Sequence, residues 1–161
     1  MLKIRPNTPD DAEEIWAILE PVFRSGETYM IARGISREDA MRFWCDPGQE
    51  TFVAEDGASV LGTYFLRANW AGGGAHVANC GYITAPAAQG RGIARAMLNH
   101  SLQRARERGF RAMQFNCVIS TNTRAVRTWE ENGFAVVGRS PEAFHHPTLG
   151  YVDALVMHRR L

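Results

Sequence analysis

The most informative segment of the chain is Ile83-Thr84-Ala85-Pro86-Ala87-Ala88-Gln89-Gly90-Arg91-Gly92-Ile93-Ala94. Its pattern is typical of a strand that runs into a glycine-rich loop and then into a long helix. Glycines let backbone N–H groups approach a ligand closely, and a helix N-terminus adds unpaired donors and roughly half a positive charge. The stretch therefore predicts a diphosphate site at the turn from Gln89 to Ala94.

Paired glycines also occur in turns that bind no ligand and in several different phosphate motifs. Gly90 and Gly92 fit a tight strand-to-helix connection without a ligand, and the turn alone leaves that alternative open. No Lys-Ser or Lys-Thr pair follows the glycines, as a P-loop requires, and the three-glycine dinucleotide fingerprint is absent. A nucleoside triphosphate or NAD site is therefore not indicated.

The glycine turn and a second segment downstream of it both match motifs of one known family. Gln89-Gly90-Arg91-Gly92-Ile93-Ala94 resembles the Arg/Gln-x-x-Gly-x-Gly/Ala signature of the GNAT superfamily of N-acetyltransferases. The downstream segment, which resembles the family's Asn-x-x-Ala…Gly-Phe helix, is Asn122-Thr123-Arg124-Ala125-Val126-Arg127-Thr128-Trp129-Glu130-Glu131-Asn132-Gly133-Phe134. The order of elements resembles the family across nearly the whole chain. The resemblance implies an acetyltransferase whose sheet splays open between its fourth and fifth strands, with the pantetheine arm of acetyl-CoA in the gap.

The resemblance also implies how acetyl-CoA, the co-substrate, is bound. Backbone groups of the strand end would hydrogen-bond the pantetheine arm, the glycine turn would hold the diphosphate, and the downstream helix would border the coenzyme. The expected coenzyme-binding residues are Ile83, Thr84, Gln89, Gly90, Arg91, Gly92, Ile93, Ala94, Asn122 and Ala125. In this family the amine attacks the thioester directly, so no covalent enzyme intermediate is expected.

Hydrophobic periodicity outward from the turn predicts the remaining elements. Helices are predicted to begin at the caps Thr8 and Ser36, at the glycine turn and at Asn122, and the first has the apolar stripe Ile15, Ile18, Leu19 and Val22. The predicted strands are Leu2 to Arg5, Thr51 to Glu55, Val60 to Leu66, His76 to Thr84, Ala112 to Val118, Phe134 to Gly138 and Tyr151 to Met157. Strands outnumber helices and the first are joined by hairpins, which predicts an α+β, or mixed α/β, fold with a largely antiparallel mixed sheet flanked by helices. We expect a single domain over residues 1–161.

Composition indicates a small partner. The 161 residues are 45% hydrophobic with a formal net charge of +1, so neither nucleic acid nor a membrane is an expected partner. Cys45, Cys80 and Cys117 match no disulfide or metal pattern, and no signal peptide or membrane-spanning run is evident, so a cytoplasmic protein is expected. The adjacent His145 and His146 lack further ligands at metal-binding spacing, so no metal is expected.

The strand before the turn departs from the family pattern. The family often places a glutamate base there, whereas this chain has Asn79 and no acid. An amide is not a base, so Asn79 is expected to orient the substrate or a water, unless it is simply a strand amide satisfied by its neighbours. Asn116, on the following strand, is expected to face the same cleft. His76 is a further candidate base, although a histidine at a strand start is more often just exposed.

A second departure lies in the helix after Asn122. Trp129 stands where the family commonly has a tyrosine that protonates the departing sulfur. Indole is not a proton-transfer acid, so Trp129 is expected to pack beside the coenzyme or in the core, and the sulfur to leave as a thiolate. Cys117 suggests a nucleophile, but no His-Asp relay is evident, and a core cysteine is the simpler interpretation.

The missing carboxylate favours a small amino acid or similar amine as acceptor, because an amine of pKa about 8 is partly neutral at pH 7. The stretch from Ala143 to Ala154, with His76 to Asn79 and Phe115-Asn116, is similar to a GNAT subgroup that includes fungal acetyltransferases acting on proline-like amino acids.

In this family the segment between the first two helices overlies the acceptor. Glu27, Tyr29 and Arg33 are therefore expected to bind the amine and a carboxylate, although a solvated loop with one buried aromatic also fits. A protein or peptide N-acetyltransferase and a non-catalytic acyl-CoA sensor stay open as alternative functions. A homodimer, through the last strands or the helix at Glu13, is also compatible with the sequence.

Overall fold

The computed structural model describes residues 1–161, in which helices cover the faces of one sheet. The strands are β1 Leu2–Pro6, β2 Glu50–Asp56, β3 Ser59–Ala68, β4 Val77–Thr84, β5 Ala112–Ile119, β6 Ala135–His146 and β7 Gly150–Arg160. The helices are α1 Ala12–Ser25, α2 Arg37–Trp44, α3 Ile93–Glu107 and α4 Thr123–Glu131, with short 3-10 turns at Pro9–Asp11, Gly72–Gly74 and Pro86–Ala88. None of these helices has the length and apolar character needed to cross a membrane.

The strands form one mixed sheet in the order β1-β2-β3-β4-β5-β7-β6. All neighbours are antiparallel except β4 and β5, which run parallel because the crossover through α3 connects them. These two strands pair only at Val77 with Ala112 and at Ala78 with Met113, and then diverge. The predicted mixed, largely antiparallel sheet that splays between its fourth and fifth strands is confirmed.

Alternation along the strands divides the core into two apolar layers, one on each face of the sheet. Tyr64 and Leu66 of β3 pack in the layer under α3, whereas Phe65 packs in the layer under α1 and α2. The stripe predicted for α1 is buried at Ile15, Ile18 and Leu19. Val22 is the exception: it is only half-buried, because it borders a cavity rather than the core.

The C-terminal hairpin is longer than predicted. The sequence pattern ends a strand at Gly138, but β6 continues to His146 and pairs with β7 throughout, with register shifts after Val136 and after Ser140. Pro141 interrupts the alternation that sequence reasoning relies on, yet it is tolerated because β6 is an edge strand. Most of β6 is exposed, including Val136 and Val137. A homodimer through these last strands stays a prediction.

An ion pair fixes the start of α1 against β1. Both Asp11 carboxylate oxygens accept from the Arg5 guanidinium at 2.8 Å, and Oδ2 also accepts from the backbone N–H of Thr8 at 2.6 Å. The hydrogen bonds from Arg5, followed by those from Thr8, lower the pKa of Asp11 from 3.8 to about 2. Because the pKa is lowered on folding, this stabilisation is present above about pH 4 and is lost as the pH falls through about 2.

Asp11→Asn is expected to lower the free energy of unfolding by about 2 kcal/mol at pH 7. The reason is that the variant lacks the ionised carboxylate to which Arg5 and Thr8 donate hydrogen bonds. The deficit relative to the wild type should shrink as the pH falls from about 4 towards 2, where the wild-type carboxyl itself becomes protonated. Urea unfolding at pH 7 and pH 3 measures both effects. Asp10→Asn, at the exposed neighbouring position, is the matched control. Equal losses in the two variants, or a deficit that stays constant in acid, would contradict this assignment.

Candidate active site

A cleft opens where β4 and β5 part. Asn79 Nδ2 donates to the backbone oxygen of Gln114 at 2.9 Å, one residue beyond the last strand pair. Further along, the register of β5 against β7 shifts between Phe115 and Val118, and such a bulge bends the strand. The resulting cavity has a volume of about 710 Å³ and extends from the segment between α1 and α2 to helix α4.

The glycine turn forms one end of this cavity. Gly90 and Gly92 both have φ of +78°, a left-handed conformation that favours glycine. The backbone N–H groups from Gly90 to Arg95 donate to no acceptor in the protein, because they precede the first intrahelical bonds of α3 and no side chain caps the helix. The turn therefore presents a set of free donors at a positive helix end.

The side chains around the turn also suit an anion. Arg95 and Arg124 line the cavity there, and Arg124 Nη1 lies 3.5 Å from Oε1 of Gln89. Glu131 is the only carboxylate residue in the lining, and it accepts from Arg127 Nε at 2.9 Å. Free amide donors and two cations without an unpaired carboxylate are the surroundings that a diphosphate needs, so these residues fit the coenzyme.

Most of the residues predicted to bind the coenzyme line this one cavity, even though they come from a strand, a turn and two helices. Those that do are Ile83, Thr84, Gln89, Gly90, Gly92, Ile93, Ala94, Asn122 and Ala125. Asn122 is also the N-cap of α4, since its Oδ1 accepts from the backbone N–H of Ala125 at 3.3 Å. The side chain of Arg91 instead points towards Asp56, with Nη2 3.5 Å from Oδ2, and Arg91 lies outside the lining.

Asn79 lies at the point of divergence. Its Nδ2 is held by Gln114, and because a carbonyl requires a donor, this contact orients the amide. Its Oδ1 receives no hydrogen bond from the protein and is not sealed from the cavity, although the residue as a whole is buried. One end of the amide is therefore satisfied by its neighbour and the other is free to accept, and a role of Asn79 in orienting the substrate or a water stays a prediction.

Asn116 belongs to an amide network across the cleft. Its Nδ2 donates to Oδ1 of Asn69 at 2.6 Å, and its Oδ1 accepts from Nδ2 of Asn69 and from Nε2 of Gln114, both at 3.1 Å. This network joins the end of β3 to β5, so Asn116 helps to hold the mouth of the cleft. One hydrogen of its Nδ2 is left for a ligand.

The three predicted acceptor residues are placed differently. Tyr29 lines the cavity, donates its hydroxyl to the backbone oxygen of Tyr82 at 3.0 Å, and packs edge-on against Trp44; burial raises its pKa well above the usual value. Glu27 and Arg33 are exposed and do not line the cavity. Arg33 folds back instead, because its Nε donates to the backbone oxygen of Arg24 at 2.8 Å near the end of α1.

Sequence reasoning missed a cation in the cavity lining. Arg67, near the end of β3, lines the cavity with its guanidinium 5.0 Å from the ring centre of Phe65 and 5.7 Å from that of Phe43. The signal was present, because an arginine follows the apolar run from Tyr64 to Leu66 in a central strand. The partner Phe43 comes from α2, and no local pattern connects the two.

The thiols at the cleft are not activated. Burial raises the pKa of Cys80 to about 12. Cys117 is exposed and lines the cavity, so the interpretation as a core cysteine is wrong; partial burial of its thiol nevertheless raises its pKa. Thiols with raised pKa values are poor nucleophiles, which agrees with direct attack by the amine.

Trp129 and His146, two other residues considered in the sequence, have structural roles. Trp129 lines the cavity and packs against Phe115, with ring centres 4.9 Å apart, so the expected packing role is confirmed. His146 organises the turn of the last hairpin, since its Nδ1 accepts from the backbone N–H groups of Thr148 and Leu149 at 3.2 Å.

Comparison with known proteins agrees with this geometry. The model of the acetyltransferase (GNAT) family matches residues 12–134. N-acetyltransferase aca1 of Schizosaccharomyces pombe is 32% identical, over 81% of this chain and 71% of that protein. The structure of a GCN5-related N-acetyltransferase from Kribbella flavida is 42% identical with a TM-score of 0.95, and the match covers 99% of this chain and 98% of that one. A phosphinothricin acetyltransferase from Sinorhizobium meliloti, solved in complex with acetyl-CoA, shares the fold at 22% identity and a TM-score of 0.86, over 99% of this chain and 88% of that one.

Proposed function

The chain belongs to the GNAT family of acetyltransferases, and on that premise we propose that it moves an acetyl group from acetyl-CoA to the amine of a small amino acid. The observation that carries the proposal is the continuous cleft at the split of the sheet. Its turn end has free backbone donors beside Arg95 and Arg124, as a diphosphate requires. Its other end is lined by apolar and aromatic side chains from α2, β3 and the segment after α1, which suits a small acceptor.

The unpaired edge of β4 binds the pantetheine arm, which is the middle part of acetyl-CoA. Beyond Ala78 this edge has no partner strand, so backbone groups near Ile83 and Thr84 are available to the amides of the pantetheine arm. This placement brings the thioester towards Asn79, where the two strands separate. Backbone N–H groups along the same edge stabilise the oxyanion that forms on the thioester carbonyl.

In the proposed reaction the neutral amine attacks the carbonyl carbon of the thioester. An N–C bond forms and the C–S bond breaks; the nitrogen loses one proton to water, and the sulfur leaves as a thiolate that takes a proton from water. Asn79 Oδ1 accepts a hydrogen bond from the amine and so directs the nitrogen lone pair at the carbon. Because no free carboxylate lines the cavity, the reaction favours acceptors whose amine is readily deprotonated.

The experiment that tests this function has two parts. Acetyl-CoA is added to the purified protein and the shift in melting temperature is measured; thiol release is then followed over amino acids, proline analogues, polyamines and peptides. We expect stabilisation by acetyl-CoA and thiol release with small amino acids. Release with peptides alone would indicate a protein acetyltransferase, stabilisation without release on any amine would indicate an acyl-CoA sensor, and no stabilisation would refute the diphosphate site.

Asn79→Ala is expected to lower kcat/KM for the acceptor about 100-fold, because the variant loses the group that orients the amine. The affinity for acetyl-CoA should change by less than about threefold, since the glycine turn is untouched. Steady-state thiol release and calorimetric titration with acetyl-CoA measure the two effects. Asn99→Ala, on the exposed face of α3, is the matched control and should behave as the wild type. A variant with normal turnover would remove Asn79 from the mechanism.

A further inference from the structure

Arg67 is a cation held in a fixed position at the acceptor end of the cleft. Its guanidinium lies over the faces of Phe65 and Phe43, at 5.0 and 5.7 Å from the ring centres. Such stacking restricts the planar guanidinium while leaving its edge donors free. Phe65 itself is buried, and the absence of a side chain at Gly81 makes room for its ring, because a Cβ there would lie 2.6 Å from Cε1 of Phe65.

This cation has no counterion in the protein. Arg67 is half-buried and its guanidinium makes no hydrogen bond or ion pair, whereas the half-buried Arg5 and Arg104 each pair with carboxylates at 2.7 to 2.8 Å. The one carboxylate in the cavity lining, that of Glu131, accepts from Arg127. A partly desolvated guanidinium with free donors is unfavourable on its own, so the site is completed by an anion that enters with the ligand.

The position of Arg67 relative to Asn79 indicates which anion. The two residues are direct partners in the β3–β4 register, so their Cβ atoms are about 5 Å apart on the same face of the sheet. A small ligand can therefore present a carboxylate to Arg67 and, from the adjacent carbon, an amine to Asn79 Oδ1. A carboxylate and an amine on one carbon define an α-amino or α-imino acid.

We propose that Arg67 binds the α-carboxylate of the acceptor and thereby selects free amino or imino acids over amines that lack this group. The inference rests on the proposed acetyltransferase function and narrows its substrate class. It also disfavours a peptide N-terminus, whose α-carbon carries a neutral amide that leaves the Arg67 charge uncompensated. Arg67 is a specificity residue that contacts the substrate and does not take part in proton transfer.

The test compares each amino acid with its own primary amide, with L-alanine and L-alaninamide, and L-proline and L-prolinamide, as pairs. Rates are corrected for the neutral fraction of each amine by measurement at several pH values. The wild type should prefer the acid over the amide about 100-fold in kcat/KM, as a lost charge-assisted bidentate contact predicts. In Arg67→Gln the preference should fall to within about threefold, because the KM for the acid rises far more than the KM for the amide.

Two further variants keep the outcome interpretable. Arg67→Lys retains the charge without the bidentate geometry and should recover part of the preference. Arg42→Gln, at an exposed position of α2, should keep the wild-type preference. A wild type that acetylates acids and amides equally, or an Arg67→Gln variant that keeps the preference, would overturn the assignment while the acetyltransferase function stands. Absence of thiol release with every amine, despite acetyl-CoA binding, would instead refute the proposed function itself.

Discussion

Replacing Gly90 with valine is expected to weaken acetyl-CoA binding about 100-fold, the largest functional effect of a single change outside the acceptor site. Gly90 has φ of +78°, and a β-branched residue is strongly disfavoured there. The peptide would rotate to relieve the strain, which turns the free N–H groups of the turn away from the diphosphate. A steric clash contributes little, because the nearest atom to a Cβ at this position is Arg124 Nη2, at 4.0 Å.

A substitution series separates backbone conformation from side-chain size. Asparagine tolerates the left-handed region better than alanine, and alanine better than valine, so the affinity for acetyl-CoA should fall in the order glycine, asparagine, alanine, valine. Gly57→Val is the matched control, since Gly57 has φ of +65° in the β2–β3 turn and does not line the cavity. It should lower the melting temperature without changing the dissociation constant in a calorimetric titration. Equal affinity across the Gly90 series would contradict the role of the turn.

Trp44→Ala is expected to have the largest effect on stability, a loss of about 4 kcal/mol and about 10 °C in melting temperature. Trp44 is fully buried, lies 5.0 Å from the ring centre of Phe65, and donates its Nε1 proton to Oγ1 of Thr63 at 2.9 Å. Its removal leaves a cavity within the apolar layer under α1 and α2. Because Phe65 supports Arg67, the KM for the acceptor should also rise.

Thermal and urea unfolding measure the loss, and Trp70→Ala is the matched control. Trp70 is 64% exposed, so the same substitution there should change the free energy of unfolding by no more than about 0.5 kcal/mol. Similar losses in both variants would mean that the packing around Trp44 contributes less than its burial indicates.

The parts of the site that sequence reasoning predicts share one property: each is formed by neighbours in the chain. The turn around Gly90 and Gly92, the cap at Asn122 and the alternation of β4 follow from local backbone preferences. The errors lie elsewhere. The sequence pattern makes β6 too short, because an edge strand tolerates the proline and bulges that central strands exclude. Glu27 and Arg33 are exposed and lie outside the cavity lining, and the Arg33 side chain is held by the backbone oxygen of Arg24.

The order of the elements and the glycine-rich turn could be predicted from the sequence, because glycine conformation, helix capping and hydrophobic period act over a few residues. The family was indicated by the resemblance of two motifs, and the comparisons show it. The end of the cavity away from the glycine turn could not be predicted, because it depends on tertiary packing. Asn79 lies where the pairing of β4 with β5 ends and its Nδ2 is held by the Gln114 oxygen, and the packing of α2 on the sheet brings Phe43 to Arg67. These contacts join residues far apart in the chain, and their formation depends on how the two layers pack rather than on any local pattern.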